Sequence, residues 1–428
     1  MIDVPDNNPE PAGAPEEKPE VTPEATPVVT PEFTVEKWVY GGSGLVRIEG
    51  QVAFVPFVLP GERVRLEPPK RRASVLEAQV SERLETSPDR IEPLCPVFES
   101  CGGCHYQQAS SDYQLARKVE IVAETFRRVG KFEAPEAIET ISADPWYYRN
   151  RNQFHIDRAR IGYLAAGSHR LIDIDECPIS APAINEALRV VKKKLHDPHW
   201  PRFLKSIELF TNGAQVMVNA LETDGGRRLA RGFFEWLGQF VPGAETGSLE
   251  YEVGGFAYRV SHGSFFQVNR HLVHRLVECA IGDAAGETAL DLYAGVGLFT
   301  VPLAKRFATA VGVESHGAAI RDMEHNAGKA GLSIGVHRAQ AEQHLEQLKT
   351  APDFVLADPP RSGLGKHVSG HLLRLSPRRV HIVSCDPPTL ARDVAALIGG
   401  GYRLDKATVV DMFPQTYHIE TVVELSKD

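Results

Sequence analysis

Residues 289–300 constrain the fold of this chain more than any other segment. They read as an apolar strand that carries Asp291, a turn with glycines at positions 295 and 297, and the start of a helix. A second apolar strand ends in Glu314, where a carboxylate can accept both hydroxyls of a ribose. A glycine turn alone also serves purely local needs, but this whole succession predicts a nucleoside site beside free helix N–H groups.

The pattern around this segment predicts an α/β fold. From about residue 262 onward, apolar strands, glycine turns and helical stretches alternate, which indicates a Rossmann-like parallel sheet with helices on both sides. The turn lacks the third glycine that packs against a dinucleotide. S-adenosylmethionine therefore fits it better than NAD, and an oxidoreductase is the alternative.

Two later strands end in residues that carry chemistry. Phe354–Ala357 leads into Asp358-Pro359-Pro360-Arg361, and Arg379–Ser384 leads into Cys385. Strand ends of open α/β sheets are where ligands bind. A strand end followed by a helix start is expected to expose the sulfur of Cys385 and to lower its pKa. Cys279, inside a helical run, is expected to be a small buried hydrophobe.

The C-terminal strand, residues 421–425, is preceded by His418 and Glu420. From the residues alone, Glu420 could be an ordinary surface carboxylate and His418 a packed or solvated histidine. Their chemistry is undecided at this level.

The first 87 residues predict a tail and a small barrel. Residues 1–34 contain eight prolines, many glutamates and almost no aromatic residue, so we expect a disordered tail. Residues 35–87 alternate short β-prone runs with glycine turns and include a basic loop at 68–72. This predicts a barrel of the oligonucleotide-binding kind, although a purely structural barrel has the same pattern.

The central region, residues 88–261, mixes strand-like and helical pieces, as in a small α+β domain. Apolar residues within 106–130 recur on one helix face, which predicts a helix that docks on the C-terminal domain. The region also holds four of the six cysteines, and in a reducing cytosol such grouping favours a metal over disulfides. An iron–sulfur cluster needs four thiolates and zinc is the alternative; the candidate ligands are Cys95, Cys101, Cys104 and Cys177.

The formal net charge of -9 is concentrated at the N-terminus. The first 36 residues carry nine acids and one lysine, whereas the rest carries 47 acids and 46 lysines and arginines. A nucleic-acid partner would therefore need a local basic face. Neither a membrane span nor a secretion signal is evident, so we expect a cytoplasmic protein, and nothing indicates an obligate protein partner.

Taken in order, these motifs resemble those of the RNA 5-methyluridine methyltransferases, which act on a tRNA or on large-subunit ribosomal RNA. The resemblance covers nearly all of residues 35–428 and implies a TRAM barrel, a central domain and a methyltransferase domain at 262–428. The matching features are the barrel, the four cysteines, Ser264-Phe265-Phe266-Gln267-Val268-Asn269, the Asp291 turn, Asp358-Pro-Pro-Arg361, Ser384-Cys385 and His418-x-Glu420.

The resemblance also implies roles for single residues. Cys385 would be the nucleophile and Glu420 the proton acceptor. The remaining assignments are S-adenosylmethionine binding by Gln267, Tyr293, Glu314 and Asp358, and a 4Fe-4S cluster with a structural or RNA-positioning role on Cys95, Cys101, Cys104 and Cys177. Two positions depart from the family: Asp386 replaces a more usual asparagine, and Leu298 stands where some relatives contact the cofactor with a polar side chain.

The residue types suit this chemistry. Carbon 5 of uracil is a poor nucleophile until a thiolate adds to carbon 6, and a base must later remove the proton from carbon 5. The target base must also leave its stack. An RNA-binding or electron-transfer protein would leave Cys385 and Glu420 unexplained. An amino-group methyltransferase needs no cysteine, and Arg361 replaces the aromatic residue that such enzymes use.

Overall fold

The computed structural model describes residues 31–73 and 75–428, so nearly all of the expected tail, residues 1–34, lies outside the described part. The described chain forms an N-terminal barrel-like unit, a central α+β unit and a C-terminal eight-stranded α/β sheet. Among the described residues, no helix is both long and apolar enough to cross a membrane.

The N-terminal unit consists of two sheets around a small valine-rich core, as the barrel prediction requires. The sheet orders are β1-β5-β8 and β2-β3-β4-β7-β6. The strands are β1 Glu32–Thr34, β2 Lys37–Trp38, β3 Ser43–Ile48, β4 Gln51–Pro56, β5 Arg63–Leu66, β6 Lys70–Arg72, β7 Val75–Glu77 and β8 Val80–Glu85. Val46, Val55 and Val64 are fully buried between the sheets. The expected basic loop at 68–72 includes β6, whose three side chains are all exposed.

The folded chain begins earlier than the tail boundary of residue 34. Glu32–Thr34 already pairs with β5, and Phe33 lies opposite Val64 and packs against the barrel core. One aromatic side chain with a partner strand is enough to bring this short segment into the fold. Composition counts over the whole tail hide such a local exception.

The central unit has a five-stranded antiparallel sheet, ordered β12-β11-β10-β13-β14, covered by helices. Its elements are α1 Ser111–Thr125, β9 Glu139–Ile141, β10 Arg151–Asp157, β11 Arg160–Leu164, β12 Leu171–Asp173, α2 Pro182–Lys194, β13 Leu204–Thr211, β14 Val216–Thr223 and α3 Arg231–Gly238, with a single π-helical turn at Phe126–Gly130 and a 3-10 turn at Asp224–Gly226.

Helix α1 starts five residues later than the predicted helix over 106–130. Ser110 accepts a hydrogen bond from the Tyr113 N–H and caps the helix. Leu115, Val122 and Phe126 are buried as predicted, but Val129 is 51% exposed because the last turn is a π-helix, which rotates it off the buried face. The helix docks on the C-terminal unit and shares its core.

The C-terminal unit is built on one large sheet, ordered β19-β18-β17-β20-β21-β23-β22-β9. The elements are β15 Ser248–Val253, β16 Phe256–Ser261, α4 Val273–Ile281, β17 Gly286–Leu292, α5 Thr300–Leu303, β18 Phe307–Glu314, α6 Gly317–Lys329, β19 Gly335–Arg338, α7 Ala341–Gln347, β20 Phe354–Ala357, α8 Gly365–Leu375, β21 Arg379–Ser384, α9 Pro387–Gly399, β22 Arg403–Val410 and β23 Glu420–Ser426. Helices α4 to α6 cover one face and α7 to α9, with α1, cover the other. The Rossmann-like prediction is confirmed, and Cys279 packs half-buried on α4.

The sheet is not wholly parallel, contrary to the prediction from alternation. Strand β23 runs antiparallel to both β21 and β22, because β22 and β23 are joined by a loop and not by a helix. In addition, β9 from the central region pairs with β22, and the hairpin β15-β16 packs in the core beside β17. The C-terminal unit therefore includes segments that precede the expected boundary at residue 262.

Candidate active site

The ends of three neighbouring strands bring Asp358, Cys385 and Glu420 together. Asp358 follows β20, which pairs in parallel with β21, and Cys385 follows β21. Because Ser384 pairs with Thr421 in the antiparallel register, Cys385 lies across from Glu420 at the start of β23. The last strand, β23, runs antiparallel to β21, and this direction places Glu420 at the same edge. The sequence alone did not predict it.

Glu420 is buried and Asp358 is half-buried, and both carboxyl groups have raised pKa values. Burial raises the pKa of Asp358 to about 7, against one hydrogen bond from Gln267 that lowers it. Burial and the neighbouring Asp358 raise the pKa of Glu420 well above its ordinary value. Two neighbouring carboxyl groups cannot both ionise easily, so at least one of the pair tends to keep its proton.

The expected lowering of the Cys385 pKa is wrong. Burial, followed by the nearby charges of Glu420 and Asp358, raises the pKa of the Cys385 thiol to about 12, and Arg361 opposes this rise. The helix start beside Cys385 does not overcome burial and the carboxyl groups. Thiolate formation at this site therefore needs a change in its electrostatic surroundings.

Asp386, the departure noted beside the nucleophile, has hydrogen-bond partners for both side-chain oxygens. Oδ1 accepts from the Thr389 N–H at 3.0 Å and caps helix α9. Oδ2 accepts from the Tyr40 hydroxyl, 3.2 Å away, which belongs to the N-terminal barrel. Both oxygens are thus hydrogen-bonded, but the Asp386 charge still acts on the thiol and adds to the rise of its pKa.

Three of the four predicted cofactor residues line one cleft at the same sheet edge, and the fourth lies next to it. Gln267, Tyr293 and Asp358 contribute side chains to it, and Gln267 Nε2 donates to Asp358 Oδ2 at 3.1 Å. Leu298 also lines the cleft, and its carbonyl accepts from the Tyr258 hydroxyl. Glu314 ends β18 beside the cleft and accepts the Gly295 N–H at 3.0 Å. The four predicted side chains therefore meet around the glycine turn.

The turn packs closely against the helix that follows the next strand and needs glycine at position 297. Gly297 has φ +84°, and a Cβ there would lie 2.9 Å from Met323 Cγ. Tyr293 also has positive φ, +63°, which is unusual for a side chain of this size and was not foreseen. Asp291 lies under the turn and accepts from Thr300 Oγ1 at 2.5 Å, and burial raises its pKa to about 8. It supports the turn from inside.

His418 lies beside the cluster but is a poor base. Burial and Arg361 lower the pKa of His418 to about 3. Arg361 Nη2 lies 3.3 Å from His418 Nε2, so the neutral ring can accept a hydrogen bond from the guanidinium. His418 therefore restrains the guanidinium of Arg361, whose charge favours a Cys385 thiolate.

The segment that leads to Glu420 is held by helix α1, a role that the apolar pattern of this helix did not indicate. Buried Gln114 exchanges hydrogen bonds with Gln415 through its side-chain amide. Lys118, completely buried, donates to Asp411 Oδ1 at 2.7 Å and to the Phe413 carbonyl at 2.9 Å. Both polar residues lie on the otherwise apolar face, so only their partners explain them.

Removing the Lys118 charge should destabilise this segment strongly. Lys118→Met leaves the Asp411 carboxylate buried without a cation, which typically costs about 3–5 kcal/mol. Urea denaturation should show that loss in the free energy of unfolding. Replacing Asp411 by leucine in the same chain should restore most of it, and a single Lys118→Met variant as stable as the parent would show that the pair does not hold the segment.

The four predicted cluster cysteines line one cavity of about 460 Å³, together with His105, Tyr417 and His418. Burial raises the pKa of the Cys101 thiol to about 11, and the pKa values of Cys95 and Cys104 also rise. Across residues 31–73 and 75–428, no three histidine, cysteine, aspartate or glutamate side chains are arranged so that they could hold a metal ion.

The cysteine loop is tied to the segment before Glu420. The His105 and Tyr106 N–H groups both donate to the Gln415 carbonyl, at 2.8 and 3.1 Å. The cavity and the strand-end cluster are therefore neighbours that share one connecting segment, residues 411–418.

Comparisons with known proteins identify relatives of this chain. The family model described as tRNA (uracil-5-)-methyltransferase matches residues 246–428. The chain is 33% identical to an uncharacterised RNA methyltransferase of Aquifex aeolicus, over 92% of this chain and 97% of that protein. It is 34% identical to a 23S rRNA (uracil(1939)-C(5))-methyltransferase of Chromohalobacter salexigens, over 92% and 89%.

A solved structure is similar over the same span. The Pyrococcus abyssi tRNA (uracil-54, C5)-methyltransferase, crystallised with S-adenosyl-L-homocysteine, aligns with a TM-score of 0.72 at 26% identity and covers 92% of this chain and 100% of that one. The chain therefore belongs to the family of S-adenosylmethionine-dependent RNA (uracil-5-)-methyltransferases.

Proposed function

We propose that this enzyme methylates carbon 5 of a uridine in 23S rRNA through a covalent bond between Cys385 and carbon 6 of the base. The observation that carries the proposal is the meeting of Cys385, Glu420 and Asp358 at one sheet edge, beside the Gln267 cleft. The relatives named for 23S rRNA favour ribosomal RNA, and tRNA is the alternative that the Pyrococcus abyssi structure suggests. Either RNA substrate is consistent with an enzyme that acts in the cytoplasm.

In this proposal each group has one task. The Cys385 thiol first gives its proton to solvent, and the positive charge of Arg361 favours the thiolate that remains. The thiolate sulfur then adds to carbon 6, and the electron pair of the double bond moves toward oxygen 4 and carbon 5. Carbon 5 then takes the methyl group from S-adenosylmethionine, which departs as S-adenosylhomocysteine. Glu420 removes the carbon-5 proton, the double bond re-forms, and the bond from sulfur to carbon 6 breaks.

The electrostatics support this division of roles. Glu420 has a raised pKa, so once ionised it binds a proton tightly, as a base that acts on a carbon acid must. Arg361 is the positive group that favours a Cys385 thiolate. Gln267, Tyr293, Glu314 and Asp358 are proposed to bind the methyl donor, because they surround the glycine turn next to these groups.

Mapping the modified base tests the substrate. Ribosomal and transfer RNA from a strain that lacks this protein should be digested and analysed for 5-methyluridine by mass spectrometry. We expect one uridine of 23S rRNA to lose its methyl group and to regain it with the wild-type gene but not with Cys385→Ala. Loss confined to tRNA would select the alternative substrate, and no loss in either RNA would reject the proposal.

We also propose that Cys95, Cys101, Cys104 and Cys177 hold a 4Fe-4S cluster. The support is that all four thiols line one cavity of about 460 Å³. As they stand they are not arranged to hold a single metal ion, so a cluster that bridges more widely spaced thiols suits them better than zinc. Such a cluster would fix the loop of residues 101–106 and, through Gln415, the segment before Glu420. Its role would then be structural, and the N-terminal barrel would add RNA-binding surface.

Anaerobically purified protein should contain about four iron and four sulfide per chain. Cys104→Ser should lose the iron and lower the melting temperature, while Cys279→Ser, a change at the half-buried cysteine on α4, should keep both. Metal analysis and calorimetry check this. Stoichiometric zinc without iron in the wild-type protein would contradict the assignment.

A further inference from the structure

The N-terminal barrel reaches the nucleophile with one side chain. Tyr40, in the turn between β2 and β3, places its hydroxyl 3.3 Å from the Cys385 carbonyl oxygen and 3.2 Å from Asp386 Oδ2. Along the chain, Tyr40 is 345 positions from Cys385 and 346 positions from Asp386. The proposed chemistry gives Tyr40 no role, so the purpose of this contact is still to be explained.

The turn that carries Tyr40 is firmly docked. Trp38 stacks on Tyr106 with ring centroids 4.1 Å apart and an interplanar angle of 8°. Gly42 has φ +94°, and a Cβ there would lie 2.9 Å from His105, so glycine permits the close approach. The Tyr40 ring also packs edge-on against Tyr417. The hydroxyl position is therefore set by packing from two other units of the chain.

The charged groups around Cys385 explain how this hydroxyl can affect thiolate formation. Glu420 on β23, Asp358 after β20 and Asp386 at the start of α9 all oppose a negative sulfur, and Arg361 favours one. Asp386 is the carboxylate next to Cys385 in the chain. Since Oδ1 is used by the helix cap, Tyr40 is the donor that remains for Oδ2.

We propose that Tyr40 is a positioning residue for the nucleophile: its hydroxyl holds the Asp386 carboxylate and the Cys385 carbonyl, so that the cysteine can become a thiolate beside a negative neighbour. The inference rests on the proposed role of Cys385. It also accounts for the aspartate at position 386, because an asparagine there would need no such donor. Burial and the Asp386 charge raise the pKa of the Tyr40 phenol, so it remains a donor at working pH.

The test measures thiolate formation without RNA. Iodoacetamide alkylates thiolates, so at a fixed pH of about 9, below the raised Cys385 pKa, the alkylation rate follows the thiolate fraction. Mass spectrometry of the peptide that contains Cys385 separates it from the other cysteines. The chains to compare are wild type, Tyr40→Phe, Asp386→Asn, the double variant, and Tyr113→Phe as a matched control at the edge of Trp38.

Tyr40→Phe should slow alkylation of Cys385 roughly tenfold, the effect of about one pKa unit. Asp386→Asn should react at least as fast as wild type, since asparagine keeps the helix cap and removes the charge. The double variant should match Asp386→Asn, a rescue that a folding defect would not give. Tyr113→Phe should behave as wild type.

A wild-type rate in Tyr40→Phe, or an equal loss when Asp386 is already asparagine, would overturn the role of Tyr40. This outcome is separate from failure of the proposed function. If Cys385→Ala still methylates RNA, the covalent mechanism fails whatever the alkylation rates are. If Cys385→Ala is inactive and Tyr40→Phe alkylates normally, only the role of Tyr40 fails.

Discussion

Cys385→Ala should lower the rate of RNA methylation by at least about a thousandfold, because without sulfur addition carbon 5 never becomes nucleophilic. Binding of S-adenosylhomocysteine should stay within about twofold of wild type, since in the proposed mechanism the cysteine contacts the base and not the methyl donor. Transfer of a labelled methyl group to RNA and calorimetric titration give the two numbers.

Cys279→Ala is the matched control, since this half-buried cysteine lies on α4 and is absent from the strand-end cluster. It should methylate at the wild-type rate. Turnover by Cys385→Ala within about tenfold of wild type would remove the basis of covalent catalysis in this enzyme.

Glu420→Gln should separate methyl transfer from product release. Glutamine keeps the size and the hydrogen-bonding reach of glutamate but cannot accept the carbon-5 proton. Cys385 should still add to the ring and the methyl group should still transfer, but the sulfur–carbon bond should not break. Methylated RNA bonded to protein should then accumulate to about one per enzyme and persist on a denaturing gel.

The same substitution at Glu424 is a close control, because it lies on the same strand, four residues further on, beside His381 and Arg379. Glu424→Gln should release its product normally. A Glu420→Gln variant that forms neither adduct nor methylated RNA would assign Glu420 to an earlier step, such as base placement, and a fully active one would move the proton acceptor elsewhere.

Local sequence patterns predicted the positions of the parallel strands and the edge where their carboxyl ends meet. The bounds of Phe354–Ala357 and Arg379–Ser384 agree with β20 and β21, and the residues that follow them share one edge as expected. Gln267 and the glycine turn also line one cleft, and Glu314 accepts a hydrogen bond from that turn. Parallel strands buried on both faces leave a strong apolar signal, and their carboxyl ends coincide by construction.

The features that the sequence did not predict depend on contacts between distant segments. Nothing local distinguishes an antiparallel β23 from a parallel one, yet this direction brings Glu420 opposite Cys385. The raised pKa of Cys385 likewise comes from carboxyl groups on other strands. Tyr40 and Lys118 look like ordinary surface or helix residues until their partners, Asp386 and Asp411, are known.

The covalent bond itself is the most direct test of the central claim. An RNA that the wild-type enzyme methylates should be synthesised with 5-fluorouridine in place of uridine and incubated with enzyme and S-adenosylmethionine. Fluorine replaces the hydrogen on carbon 5, so no proton can be removed there and the bond to sulfur should persist. We predict a stable complex in which mass spectrometry finds methylated fluorouridine on the Cys385 peptide. If the unsubstituted RNA is methylated at the wild-type rate but the fluorinated RNA leaves Cys385 unmodified, the covalent mechanism is contradicted.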